Sequence, residues 1–476
     1  SPSAARRTLL AVVLVGVAAW LLSGSTFAAG FAMSLFGAAF ASLSAVDLFD
    51  AWRVIRLMPE VTVLSVLVLG GVRIALLRLT LLGPDEARLL AALALAATLF
   101  RLGLVSQPDY YYPDLMTHAR AAATMAQEGP AFFVNPAAAL GAQGAWTKSV
   151  LGASTTLPYA VVFHTPFAVA QRFFDWSLDD VETAMKSAGC LVSSLPILLG
   201  GAFAALFGVP ASAAALLAIT PVYASRVGYA LLPALTGHVM DLVVLVGVAR
   251  LLRAEAANPS LRDVVGLIGI LTLGHLTYTS GVMNEGLFMA VLCLVLLSRR
   301  RAALSLRLGV AEAFAAGLAL ALYYRSFLGD LSSLAARVAG GASGAPSQYP
   351  IESFFGLLVE RLVAYFGPVW LVLTLLGVAL TREGRDMARS AAGMSWGLAF
   401  LGLILLRAKV PDVFRYGHET LFVTPLIVLL AGAALAAGWK RGGAYRLVAV
   451  VLVAALVAGG VAGHATAVSE HFQNAR

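Results

Sequence analysis

Apolar runs long enough to cross a bilayer recur along almost the whole chain, separated by short polar connections and one longer polar segment from 106 to 180. Leu89 to Val105, broken only by Arg101, Val264 to Leu273 and Leu421 to Ala437 are rich in Leu, Ala and Val. They lack the period-two alternation of barrel strands, so the pattern predicts an all-α, polytopic transmembrane helical bundle of about 11 to 14 spans. In order, the expected spans are roughly 9–27, 61–79, 87–105, 183–207, 211–228, 231–251, 263–283, 285–298, 308–328, 356–381, 391–407, 419–438 and 445–463. The first is expected as a retained helix, and the Gly-, Ala- and Ser-rich stretch that follows as an interfacial or re-entrant segment, because a full span there would move Arg73, Arg78 and Arg88 outside.

These elements group into five regions: N-terminal helices over 1–105, a polar loop over 106–180, central helices over 181–328, a second polar loop over 329–355 and C-terminal helices over 356–476. Within the first loop, Asp114 to Gln127 reads as a helix bounded by Pro113 and Gly129-Pro130, and Leu157 to Phe174 as an amphipathic helix in the membrane interface. The Gly- and Ser-rich second loop, Asp330 to Pro350, reads as an irregular, mobile connection.

Composition agrees with this reading: 60% of the 476 residues are hydrophobic and only 12% are charged. The net charge of +8 does not point to nucleic acid, since the basic residues cluster at segment ends, at Arg6-Arg7, Arg299 to Arg301, Arg382 to Arg389 and Lys440-Arg441. That distribution marks cytoplasmic connections and puts both polar loops on the opposite face of a multi-pass membrane protein. One connection breaks the rule. Arg407, Lys409 and Arg415 fall on the outer side, where an anionic ligand would account for them. Cys190 and Cys293 lie far apart in apolar runs, and no His or Cys spacing makes a metal motif.

The first polar loop opens on a crowded island, Gln107 to Arg120, holding Asp109, Tyr110 to Tyr112, Asp114, His118 and Arg120. Asp114 suits a helix N-cap, and at the membrane surface it also suits a base accepting a proton from a substrate hydroxyl. His118 falls four residues on, on the Asp114 face, while Arg120 points partly away. Asp109 is a second acid or a loop cap, and Tyr111 and Tyr112 either stack on a sugar or sit in an interfacial aromatic belt. Lys148, Arg172, Arg226, Arg325, Arg407, Lys409 and Arg415 are cations for which a phosphate is a natural partner. His238, Asp241 and His275, inside apolar segments, are candidate cavity-lining residues.

Several fragments together resemble the GT-C superfamily of membrane glycosyltransferases, in particular its protein mannosyltransferase and aminoarabinose transferase-like group. They are Pro113-Asp114 with His118-Ala119-Arg120; Thr156 to Tyr159; Phe174 to Asp180; Phe207-Gly208-Val209; Ile219 to Arg226; and Phe414-Arg415-Tyr416 before a late helix. The resemblance implies transfer of a monosaccharide from a polyprenyl-phosphate donor to a lipid, glycan or protein acceptor on the periplasmic face. Asp114, with Asp109, would be catalytic; His118, Arg120, Tyr111, Tyr112, Lys148, Arg226, His238, Arg415, Tyr416 and His418 would bind substrate; the geometry would invert the anomeric centre. No cofactor is implied beyond the lipid-linked sugar, and no metal is indicated.

The sequence departs from the family in three places, one of them the helix after Arg226, which reads Gly237-His238-Val239-Met240-Asp241 where many relatives place an Asp earlier. A Pro113-Asp114 pair stands where an Asp-Glu pair is frequent, and none of the seven tryptophans neighbours another, so the Trp-Trp-Asp motif of oligosaccharyltransferases is missing. The alternatives are an O-antigen-ligase-like transferase, a non-catalytic scaffold of the same fold, or a transporter. Transport would demand charges buried within several spans, whereas the sequence concentrates them in the outer connections.

Overall fold

The computed structural model describes residues 59–105, 113–142, 147–150, 153–156, 162–228, 231–253, 260–340, 353–381, 387–409 and 418–474. The chain is a helical multi-pass membrane protein. Among the described residues eight helices are long and apolar enough to cross a bilayer, or nine if a bent pair counts as one span, while the first expected span lies outside them.

Two antiparallel helices lead in, α1 (Pro59–Arg78) and α2 (Pro84–Val105). The expected helix of the first polar loop follows as α3 (Pro113–Glu128), closed by Gly129 at a φ of 59° and continued by a 3₁₀ turn, Gly129–Phe133. Pro113 takes the first helical position, where its missing N–H costs nothing, so Asp114 sits inside the first turn rather than at the cap. A short α4 (Pro136–Ala142) and an unforeseen hairpin come next, β1 (Thr147–Val150) pairing antiparallel with β2 (Ala153–Thr156) and Lys148 opposite Thr155. The amphipathic helix is α5 (Thr165–Phe174).

The span expected at 183–207 is two helices, α6 (Leu178–Val192) and α7 (Leu195–Leu206), which break at Ser193-Ser194. Ser177 and Asp180 form a reciprocal cap at its start. At its end Gly208, at a φ of 67°, lets the Val209 N–H reach the Ala204 carbonyl, which closes the last turn. The continuous span expected at 211–228 is not there: a 3₁₀ run, Ala211–Ile219, gives way at Thr220 to α8 (Pro221–Gly228), because Pro221 cannot continue the preceding ladder.

Four helices then pack side by side: α9 (Leu232–Arg253), α10 (Leu261–Thr277), α11 (Thr279–Ser298) and α12 (Ala302–Leu322). The α10–α11 boundary lies at Tyr278, not in the 280s as expected. That residue is extended (φ −153°, ψ 137°), and the chain reverses so tightly that Gly274 and Gly281 face each other across the turn. A 3₁₀ turn, Tyr324–Phe327, leads to α13 (Leu328–Ala339). The second polar loop therefore starts as a helix and not as an irregular connection, since its Gly- and Ser-rich part begins only after Ala339.

The chain closes with α14 (Phe354–Thr381), α15 (Met387–Lys409), α16 (His418–Arg441) and α17 (Gly443–Asn474). Helix α14 bends by 89° between Val363 and Tyr365, and Gly367 takes a φ of 73° just before Pro368. Its second half lies against α16 so closely that any side chain at Gly377 would meet the Leu430 carbonyl. Trp396 of α15 anchors this corner, donating from Nε1 to the Phe422 carbonyl at 2.9 Å and standing edge-on to Phe203. The alternation of spans brings the starts of α3, α6, α9, α14 and α16 to one end of the bundle, called the loop end below.

Candidate functional site

At the loop end, α3 rests on α5 and α6. Its buried face carries Leu115, His118, Ala119, Ala122 and Met125, a 3.6-residue stripe, and leaves Arg120 exposed. His118 is 1% exposed and lies four residues from Asp114, so its Nε2 faces the Asp114 carboxylate at 4.0 Å, while that carboxylate keeps 39% of its surface open. On the other ring edge, His118 Nδ1 stands 3.0 Å from Nε2 of His164, itself buried at the start of α5. Phe163 packs edge-on against both rings. One assignment fits this geometry: His164 donates from Nε2 to His118 Nδ1, and His118 points its Nε2–H toward Asp114.

Burial, and then the neighbouring His164 ring, hold the His118 pKa well below the ordinary imidazole range, so His118 is neutral at physiological pH. A neutral imidazole behind a half-open carboxylate orients that carboxylate without neutralising its charge. The hairpin joins this end through Asp330 of α13, which accepts from the Thr156 N–H at 3.1 Å.

A second group of polar residues forms where α8, α14, α15 and α16 meet. Arg226, in the last turn of α8, is 5% exposed; Arg361 of α14 and Arg407 in the last turn of α15 are each 8% exposed. All three surround Glu419 in the first turn of α16, itself buried. Arg361 Nε lies 3.4 Å and Arg407 Nη1 3.6 Å from the same Glu419 oxygen, and Arg226 interacts electrostatically with Glu419, Arg361 and Tyr365. The Tyr365 hydroxyl accepts from Arg361 at 3.1 Å, with the guanidinium over its ring. The three guanidinium groups lie around Glu419, and the half-exposed Glu360 stands 3.4 Å from Arg361 Nη1 as a second carboxylate, so among these residues the cations outnumber the acids. Such a surplus is costly unless an anion completes it.

The expected residues divide as follows. Asp114 and His118 come together, and Arg226 with Arg407 joins the cation group. Arg120 is exposed on the far face of α3, Lys148 stands in β1, and His418 opens α16 beside Glu419. His238 is buried in α9, its Nε2 bonded at 2.8 Å to the hydroxyl of Tyr223, which lies on the same helix as Arg226. Asp109, Tyr111, Tyr112, Arg415 and Tyr416 lie outside the described residues. His164, Arg361 and Glu419 were not foreseen. His164 opens the amphipathic α5, Arg361 interrupts an apolar run, and Glu419 follows the Arg415 to His418 stretch directly.

The expectation that buried charge is confined to outer connections fails. Arg101 of α2 is buried, donating to the Ser193 carbonyl at 2.8 Å, to the Ser193 and Ser194 hydroxyls and to the Ala218 carbonyl, and it lies over the Tyr223 ring. Asp241, His275 and Glu285 are buried within α9, α10 and α11. Among the described residues, no group of three or more His, Cys, Asp or Glu side chains is placed to hold a metal ion.

No protein-family model and no curated protein matches the chain. Among solved structures, it is similar to ArnT from Cupriavidus metallidurans bound to undecaprenyl phosphate, with a TM-score of 0.46 and 16% identity, over 83% of this chain and 77% of that one. The apo state of the same ArnT gives 0.45 and 16%, over 81% and 75%. The oligosaccharyltransferase of Archaeoglobus fulgidus, in complex with Zn and sulfate, gives 0.48 and 14%, over 79% of this chain and 53% of that one.

Proposed function

We propose that the chain is a membrane glycosyltransferase of GT-C type that moves a monosaccharide from a polyprenyl-phosphate donor to an acceptor hydroxyl at the periplasmic face of the inner membrane. The observation that carries this is the buried gathering of guanidinium groups at Arg226, Arg361 and Arg407, whose planar donors suit a lipid-linked phosphate. A lipid-linked phosphate reaches such a site from the bilayer, and the amphipathic α5 and the bent α14 lie at the same end of the bundle.

In this reaction the acceptor oxygen attacks the anomeric carbon as its proton passes to an Asp114 oxygen. The bond between that carbon and the phosphate oxygen breaks, and the polyprenyl phosphate leaves with the electron pair. The arginines bind the developing phosphate charge, and they act most strongly because they are withdrawn from water. His118, fixed by His164, orients Asp114 from behind. Attack opposite the leaving group inverts the anomeric centre. The acceptor is a lipid, glycan or protein hydroxyl, and no cofactor is required.

Two measurements on the full chain in nanodiscs test this. Asp114→Asn is expected to bind undecaprenyl phosphate like the wild type, yet to release no free polyprenyl phosphate from a polyprenyl-phosphate sugar. Arg361→Ala is expected to lose binding of the same lipid. Activity in the Asp114→Asn variant removes Asp114 from the mechanism, and undiminished lipid binding in the Arg361→Ala variant places the phosphate elsewhere.

A further inference from the structure

Five polar side chains from four successive helices meet inside the bundle, apart from the arginine group. They are Asp241 of α9, His275 of α10, Asn284 and Glu285 of α11, and Glu312 of α12. Asn284 donates from Nδ2 to Asp241 at 2.9 Å. His275 stands between two carboxylates, its Nδ1 3.4 Å from Glu285 Oε2 and its Nε2 3.1 Å from Glu312 Oε1. Glu285 interacts electrostatically with Asp241 as well as with Glu312, so the five residues form one connected group. Asp241, His275 and Glu285 are 3%, 0% and 1% exposed, and Glu312 forms the rim.

The backbone is shaped for this group. The tight α10–α11 reversal turns Gly274 toward Glu285, and a side chain at Gly274 would occupy the space of the Glu285 carboxyl group. Tyr324 fastens the end of α10 by donating to the His275 carbonyl at 2.7 Å. Of the neighbouring titratable groups, His238 of α9 turns away to Tyr223, and Cys293 of α11 lies near Glu312. Arg407 and Glu419, on the helices beyond α11, belong to the arginine group.

The group cannot stand as three carboxylates. Beside a neutral imidazole they would put three negative charges in a membrane interior, where each unpaired ion costs several kcal/mol or more, and every proton taken up removes one of them. The hydrogen-bond inventory points the same way. Asp241 Oδ1, both Glu285 oxygens and Glu312 Oε2 are buried without a donor, and so is His275 Nδ1. A neutral His275 that donates from Nε2 to Glu312 turns a bare Nδ1 to Glu285, so two acceptors face each other across 3.4 Å. One proton between them completes both.

We propose that the α9–α12 cluster is a proton-binding site in the membrane interior, with a proton held between Glu285 and His275 Nδ1. Glu312 is then the ionised partner of His275, and Asp241 the acceptor of Asn284. The site ties four helices together through an exchangeable proton and is independent of whether the arginine group holds a lipid phosphate. The ligand is a proton and not an alkali cation, because an imidazole nitrogen at the centre supplies a proton acceptor rather than the ring of oxygens a hard cation takes.

Infrared titration of the full chain in lipid nanodiscs tests this, since a protonated carboxyl group has a C=O band that a carboxylate lacks. At neutral pH the wild type is expected to show such a band, and Glu285→Gln to lose it. Glu312→Gln removes a like charge from the rim, and should lower the midpoint at which the band disappears by about one pH unit. If Glu285→Gln does not fold, the Glu312→Gln midpoint alone decides. A wild-type spectrum without the band, a band that persists in folded Glu285→Gln, or an unmoved midpoint in Glu312→Gln overturns the proposal. Exchange of choline for sodium at constant ionic strength should leave the band in place; its loss would mean that the site takes the alkali cation instead.

Discussion

At the loop end three guanidinium groups gather around Glu419, whereas inside α9–α12 two carboxylates flank one imidazole and a third, Asp241, lies beside them. The two groups share a scaffold and a depth of burial, yet opposite charge surpluses have different remedies. A guanidinium group cannot shed its proton, so a surplus of arginines is relieved only by an external anion. A carboxylate can take up a proton, so a surplus of acids is relieved from water alone. One group is therefore read as a binding site for an anionic lipid, and the other as a site for protons.

The largest effect is expected at the arginines. Arg226→Ala should reduce transfer by about 10²- to 10³-fold, the usual cost of removing one preorganised donor from a developing anion. Release of polyprenyl phosphate measures it. Arg226→Lys keeps the charge but not the planar fork, and should recover only part of the loss. Equal activity in all three proteins would break the comparison, because the cation surplus would then be structural.

Next comes Glu419→Gln, which takes from the three buried arginines the one buried carboxylate they share and leaves only the half-exposed Glu360 beside Arg361. Stability without added anion should fall by about 3 kcal/mol, as for other buried pairs that lose one partner. Undecaprenyl phosphate should then raise the melting temperature more in this variant than in the wild type. An equal rise in both would show that the lipid does not share the site of Glu419.

A smaller effect tests the acidic group. Gly274→Val should destabilise the fold by about 2 kcal/mol, because the new side chain collides with the Glu285 carboxyl group. Pairing it with Glu285→Ala removes the obstacle, so the double variant should be more stable than the sum of the single changes in a thermal-melt cycle. Strict additivity would mean that Glu285 does not fill the notch.

Both groups were only half legible in the chain. Helix positions followed from apolar length alone, since α1, α2, α9 and α16 lie within a few residues of the expected spans. What failed were breaks whose causes are tertiary. Thr220-Pro221 splits an apolar run that periodicity reads as one span, and Tyr278 reverses a chain that hydropathy alone leaves continuous. Asp114 and His118 are four apart on one helix, so their pairing could be read directly, whereas His164 reaches them from 46 residues away. Arg226, Arg361, Arg407 and Glu419 come from four elements, and each looks like an ordinary helix-end or snorkelling charge until the bundle closes around them. Asp241 and His275 stood out because polar residues within spans are rare, but their partners Glu285 and Glu312 did not.

The smallest effect concerns a titratable ring outside both groups, His118, which carries neither surplus. Burial keeps it neutral in the fold, with a pKa well below the ordinary imidazole range, while in the unfolded chain it protonates near pH 6.5. Below that pH the unfolded state binds more protons than the fold, so stability falls as the pH drops through the unfolded value. A single group limits the slope to about 1.4 kcal/mol per pH unit. Melting of the wild type in nanodiscs between neutral and mildly acidic pH should show this decline, and His118→Gln, which keeps a hydrogen-bonding side chain but does not titrate, should flatten it. An unchanged slope in that variant would locate the acid sensitivity elsewhere, with the buried acids of α9–α12 excluded by sign: proton uptake there favours the fold at low pH.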